Sequence, residues 1–383
     1  MSINTDNQRI RAGRDGGYPL IVRVLYKTAL LFLVFNLAYI YLAPGALLGR
    51  VSIYNHLVPG RQRLPYSDDP ARSFNMSIPQ LDAMFKSHVL AGQEKSGEEF
   101  RVVLIGDSSI WGFLLRPGET LAATLSARSL ETSDERTVRV YNLGYPTMSA
   151  TKDLLILESA LAYQPDLILW FVTLESLTWE KQLQSPLLEL NPRAANELIE
   201  QDALGLKLEP LEEPVRSWWA RTIVGERREL ADWIRFQLYG IAWAATSVDH
   251  VIPETYNQRM EDLPADPGFQ SFTPGSMAEG DLAFDVLGAG IERAGDIPVL
   301  VINEPIFISQ GANSEIRYNF YYPRWAYDTY RALLAEAARE QDWQLLDFWD
   351  SLPQSEFTDS AIHYTPDGVR MLADQLAGYV AGP

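Results

Sequence analysis

The feature that most restricts what this chain can fold into is an alternation. Short apolar runs at 102–105, 138–141, 167–172, 298–303 and 343–348 are separated by segments long enough to hold a helix. In the segment 149–163, Leu154, Leu155, Leu157, Ala160 and Leu161 fall at helical spacing, and 277–293 and 325–339 also read as helices. Continuous apolar runs suit strands buried on both faces, and intervening helices suit crossovers between parallel strands. The expectation is an α/β protein with a parallel sheet flanked by helices. In such sheets the chemistry collects at the C-terminal edge of the strands.

The first run delivers Gly106-Asp107-Ser108-Ser109-Ile110-Trp111-Gly112 to that edge. A serine hydroxyl is a weak nucleophile until a base takes its proton and N–H groups hold the developing oxyanion. The chain has four histidines to supply the base: His56, His88, His250 and His363. His363 follows Asp359 by four residues and precedes a helix start, with Thr365 able to cap and Pro366 suited to the first helical position. An imidazole on a short loop beside a carboxylate is the arrangement a serine triad needs. Ser108, His363 and Asp359 are the candidate catalytic residues. His56, His88 and His250 read as packed or solvent-facing, since no two histidines have metal-ligand spacing and cysteine is absent.

Gly106-Asp107-Ser108 near the start of the α/β region, with Asp359 and His363 near its end, resembles the SGNH (GDSL) hydrolase superfamily. The resemblance covers residues 99–177 and about 286–381. It implies a three-layer, flavodoxin-like parallel sheet and an esterase, lipase, thioesterase or carbohydrate O-acyl hydrolase or transferase, with no cofactor. Gly144, in Tyr141-Asn142-Leu143-Gly144-Tyr145, matches the second family block. The resemblance gives the oxyanion to the Ser108 and Gly144 N–H groups, and it places Asp107, Asn142 and Glu175 in substrate binding. Two blocks depart from the pattern. The family's Gly-x-Asn-Asp is here Thr173-Leu174-Glu175-Ser176, and a glutamate donates a hydrogen bond only when protonated. The family's Asp-x-x-His is lengthened by one residue, since Ser360 holds the Asp position and Asp359 precedes it.

Composition decides which partners to expect. The first 27 residues carry a net +3, so the rest holds −21 of the total −18, which argues against a nucleic-acid partner that would need a basic face. Residues 28–48 contain no charge, and at the helical rise such a run extends roughly 30 Å, the thickness of a bilayer core. The run is longer than the apolar part of a usual signal peptide, and no small-x-small cleavage site follows, so a retained signal-anchor is expected rather than a cleaved leader. Five Lys/Arg precede it. The positive-inside bias then gives a single-pass cell-membrane protein with a cytoplasmic segment 1–27 and an extracytoplasmic, cell-surface catalytic domain. Asn36 and Pro44 inside the run mark either satisfied polar positions or a helix–helix contact. Residues 49–98 connect to the domain at 99–381; their Arg50, Arg61 and Arg63 read as a boundary marker, with anionic headgroups as the alternative.

Residues 178–285 interrupt the alternation with about a hundred residues that the minimal fold does not need. They hold Trp179, Trp218, Trp219, Trp233 and Trp243, half of the ten tryptophans. A helical lid or side subdomain that docks sugar, acyl chain or membrane is one reading, and the core of that subdomain is the other. Glu304, at a strand end, is placed near the catalytic mouth or is a plain loop carboxylate. The function expected is a serine esterase or O-acyltransferase acting on acyl esters, such as those of a surface polysaccharide. Its architecture is analogous to accessory proteins that work beside a multispan membrane acyltransferase. The alternative is a non-catalytic module of the same fold that binds polysaccharide or scaffolds a membrane complex.

Overall fold

The computed structural model describes residues 19–44, 53, 55, 60–66, 81–206, 217–246, 252 and 255–382. The basic residues ahead of Arg23, the end of the 28–48 run, Arg50, His56 and His250 lie outside the described residues. The chain divides into two units, residues 1–44 with 214–228, and residues 45–213 with 229–383.

The larger unit is built on five parallel strands: β1 Glu99–Ile105, β2 Thr137–Asn142, β3 Leu167–Val172, β4 Val299–Asn303 and β5 Gln344–Asp347. Their order is β2-β1-β3-β4-β5, the doubly wound, flavodoxin-like order. Side chains alternate between faces with the period of two that a strand imposes. Val103, Ile105, Ile168, Trp170, Val172 and Val301 pack with the helices Ala150–Leu161, Phe284–Ala294 and Arg324–Glu340. Val102, Leu104, Leu169, Phe171 and Ile302 face the other way, onto Leu121–Ser126 and Pro366–Ala381. Both faces are therefore covered, which is why these strands read as unbroken apolar runs. The register aligns the strand ends, with Leu104 opposite Asn142 and Val172 opposite Asn303, so loops from different strands meet along one edge.

The insertion returns to the place where it leaves. Thr178 bridges Leu282, and Ala283 N–H donates to Leu177 O at 2.8 Å. The helix expected over 277–293 starts only at Phe284 because the residues before it close this clasp. The tryptophans do not gather into one core: Trp243 is buried under Arg61, whereas Trp218 and Trp219 are half exposed. Arg61 and Arg63 are buried in the larger unit. The Arg63 guanidinium sits 4.4 Å over the Trp111 ring and donates to Gly112 O at 2.7 Å, so these two arginines pack in the domain rather than meet headgroups.

The smaller unit contains the helix Leu20–Leu42, 23 residues long and apolar enough to cross a membrane. Its buried residues are Asn36 and Tyr39.

Candidate active site

β1 ends at Ile105, and a single turn of helix, Ser108–Trp111, starts three residues later. Asp107 caps it, accepting from the Ser109 N–H at 2.8 Å. Ser108 thus holds the first helical position, where an N–H has no partner within the helix and points outward from its positive end. Asp107 is buried beneath the turn, so its part is to shape the nucleophile's backbone rather than to touch substrate.

Ser108 Oγ lies 2.8 Å from His363 Nε2, and His363 Nδ1 lies 2.8 Å from Asp359 Oδ1. The three expected catalytic side chains are thereby brought into one chain of hydrogen bonds. Burial raises the Asp359 carboxyl, but the bond and charge of His363, with a hydrogen bond from Thr358, outweigh it and hold the group below its ordinary range. An ionised Asp359 is acceptor only, so Nδ1 donates to it and Nε2 is left to accept the Ser108 proton. The loop carrying both residues is closed at its base by the Phe357–Tyr364 bridge and by Thr358 N–H donating to His363 O at 2.9 Å. That closure accommodates the extra residue between Asp359 and His363. Thr365 caps the following helix and Pro366 takes its first turn.

The nucleophile turn is held from below by buried polar groups. Lys152 is fully buried, and its ammonium donates to Gly106 O at 2.8 Å and Tyr145 O at 2.9 Å, which ties the end of β1 to the loop after β2. Its counter-ion is Asp153, 2.5 Å away, whose carboxyl burial pushes up to about 6. Glu304, directly after β4, is also buried; Ser109 Oγ donates to its Oε2, and Tyr364 OH reaches the same oxygen at 3.3 Å. Burial raises the Glu304 carboxyl well above its ordinary range, and the neighbouring Asp107 raises it further.

Gly144 and Asn142 require a correction. The Gly144 N–H, expected to bind the oxyanion, instead donates to Asn142 Oδ1 at 3.0 Å. Asn142 is buried and donates from Nδ2 to Ile110 O at 2.7 Å, so it is scaffold under the nucleophile helix and not a substrate contact. The glycine is needed for a different reason: a Cβ at 144 would lie 2.4 Å from Trp111 N. Three residues on, Thr147 has φ 97°, a backbone state that a β-branched residue adopts only when its surroundings impose it.

Glu175 lies in the first turn of the short helix Leu174–Leu177 after β3 and is mostly buried; burial raises its carboxyl, and Glu180 and Asp107 add to this while Lys181 opposes it. Tyr321 stands among the same groups. Burial raises its phenol, a hydrogen bond to Ser360 opposes that, and Glu175, Asp107 and Asp359 push it further up.

Two contributors were not visible in the sequence. The Phe113 ring lies 4.8 Å from the His363 ring, centroid to centroid, tilted by 30°. Arg259, from the insertion, donates to Thr358 O, Phe357 O and Gln354 O at 3.1, 2.7 and 2.8 Å, so the insertion clasps the loop that carries the base. His88 is remote in role: burial lowers it to about 4, and its Nδ1 accepts from Leu90 N–H.

No protein-family model matches the chain, and no curated protein matches it. Solved structures of similar arrangement include a member of the lipolytic protein G-D-S-L family from Veillonella parvula DSM 2008, 12% identical, TM-score 0.34, covering 73% of this chain and 95% of that one. An aryl esterase from M. smegmatis is 13% identical, TM-score 0.32, over 73% and 97% of the two chains. An acetylxylan esterase from Geobacillus stearothermophilus is 12% identical, TM-score 0.35, over 75% and 95%. These similarities are distant, and the functional reading rests on the geometry of Ser108, His363 and Asp359.

Proposed function

We propose that the chain is a membrane-anchored serine esterase or O-acyltransferase of the SGNH kind, acting on acyl esters such as those of a surface polysaccharide. The observation that carries the proposal is the Ser108–His363–Asp359 relay, with both of its contacts at 2.8 Å. Ser108 Oγ attacks the ester carbonyl while His363 Nε2 takes its proton. The imidazolium formed is stabilised by Asp359 and returns the proton to the departing alkoxide, leaving an acyl-serine. Water, or a sugar hydroxyl, then attacks the acyl carbon while His363 takes its proton, and the acid or the new ester leaves as Ser108 is re-protonated. Water as acceptor makes the chain an esterase, and a sugar hydroxyl makes it a transferase.

In this reading the oxyanion is held by the Ser108 N–H at the helix start and by the backbone N–H of the strained Thr147. Tyr145 N–H donates to Gly106 O at 2.9 Å, and this bond holds the 145–147 loop beside the nucleophile turn. Glu175, whose carboxyl burial raises, stands where the family asparagine would and donates to the oxyanion when it carries a proton. The helix Leu20–Leu42 is read as the signal-anchor that keeps the domain at the outer membrane face.

Turnover of a small acetyl ester and of an acetylated oligosaccharide by the full chain tests the proposal. Activity is expected to vanish in Ser108→Ala and to survive, weakened, in Glu175→Gln. A folded wild type without activity on any acyl ester would leave the binding-module alternative.

A further inference from the structure

The smaller unit shows how the insertion is attached. The helix Leu20–Leu42 carries two buried polar residues, Asn36 and Tyr39, in a stretch otherwise exposed and apolar. Asn36 Nδ2 donates to Phe32 O at 2.8 Å, and its Oδ1 accepts the Ile223 N–H at 3.1 Å. Tyr39 OH donates to Glu226 Oε2 at 2.7 Å. Residues 217–226 therefore dock on this helix through its polar positions.

Several backbone groups of the docked segment are satisfied locally. Ala220 N–H donates to Ser217 O, Thr222 N–H to Trp219 O, Gly225 N–H to Thr222 Oγ1 and Glu226 N–H to Thr222 O. The fold is tight enough that a Cβ on Gly225 would lie 2.4 Å from Ala220 O. Irregular backbone is tolerated at membrane depth where protein covers it, and here the segment lies against the helix Leu20–Leu42. Trp218 and Trp219 project from it, 52% and 53% exposed, and Ile223 helps line an apolar groove of about 420 Å³ with Leu31, Phe32 and Phe35. Asn36 lies six residues before the helix end. At the helical rise that is about 9 Å along the axis, so the segment reaches from the interface into the hydrocarbon edge. Tryptophan concentrates at that level, and Arg221 in the segment with Arg227 and Arg228 after it suit headgroup phosphates.

We propose that residues 217–226 form a membrane-seated side arm: Trp218 and Trp219 lie in the bilayer interface beside the anchor, and a lipid acyl chain fills the Ile223 groove. The proposal rests on reading Leu20–Leu42 as a membrane span. It gives the catalytic domain two attachments to the membrane, one at the N-terminal connection and one through its insertion.

The absence of cysteine in the chain makes the test direct. Single spin labels are placed on the full-length protein in phosphatidylcholine/phosphatidylglycerol nanodiscs at Trp218→Cys, Trp219→Cys, Phe35→Cys in the anchor and Tyr379→Cys on the exposed face of the C-terminal helix. Accessibility to oxygen and to a water-soluble nickel chelate is then measured. The side arm predicts an oxygen-to-nickel ratio at 218 and 219 several-fold above that at 379 and approaching that at 35. A lipid-like ratio at 35 with a water-like ratio at 218 and 219 overturns the side arm and leaves the anchor standing. Labels at 218 and 219 shielded from both reagents overturn it in favour of protein contact. A water-like ratio at 35 overturns the span reading and the side arm with it.

Discussion

The two halves of the candidate site are held in different ways. The Ser108 turn rests on groups in the core: Lys152 under the Gly106 carbonyl, Glu304 under Ser109, Asp107 as cap and Arg63 on Gly112. The His363–Asp359 loop lies on top, closed by its own backbone bonds and clasped by Arg259 from the insertion. Ser108 is thus fixed by buried polar groups beneath the sheet edge, and His363 by a segment of the insertion. Damage to the first half should appear chiefly as lost stability, and damage to the second as lost turnover.

The sharpest separation is expected from Asp359→Asn. It leaves the packing in place but favours the wrong histidine tautomer, so turnover should fall on the order of 10³–10⁴-fold while thermal stability barely moves. Esterase kinetics beside a melting curve check both. A large stability loss would mean that this loop is structural in the way the Ser108 turn is.

Lys152→Met should do the reverse. It strands the buried Asp153 carboxyl and frees two carbonyls, which costs about 3–5 kcal/mol. Replacing Asp153 by leucine as well should recover most of that in denaturant titration, because the uncompensated charge leaves with its partner.

Arg259→Ala is expected to lower turnover roughly ten- to a hundredfold through misplacement of the base, with the Michaelis constant nearly unchanged and partial rescue by Arg259→Lys. Unchanged turnover would show that the insertion's clasp does not position the loop.

The smallest effect belongs to Glu304→Gln. Because burial raises the folded carboxyl above its unfolded value, Glu304 favours the folded state at low pH. That contribution is lost as pH rises through the raised folded value. The glutamine variant should therefore gain stability relative to wild type as pH rises above the ordinary glutamate range, and a gap between the two melting curves that does not change with pH would contradict the assignment.

The sheet was legible because its central strands are buried on both faces: the runs at 102–105 and 167–172 could only be strands once flanked by helical periods. Ser108, His363 and Asp359 could be singled out because each follows a local signal, a strand end or a helix cap, and the fold brings them within hydrogen-bond reach. What local patterns miss is pairing over distance. Lys152 and Asp153 look like the polar start of an amphipathic helix, and only the fold shows them under the nucleophile. The helix after Trp218 and Trp219 begins only at Arg227, because 217–226 is spent on Asn36 and Tyr39, far away in sequence. Gly144 was read as a donor, whereas its neighbour Asn142 takes that N–H, a side-chain choice invisible to spacing.

The central claim is that Ser108 is an activated nucleophile. Incubating the full chain with a fluorophosphonate and mapping the adduct by peptide mass spectrometry tests it most directly. The expected result is one phosphonylated peptide, modified at Ser108 and lost in His363→Ala. A folded wild-type protein that stays unmodified, or an adduct that persists in Ser108→Ala, would contradict the claim.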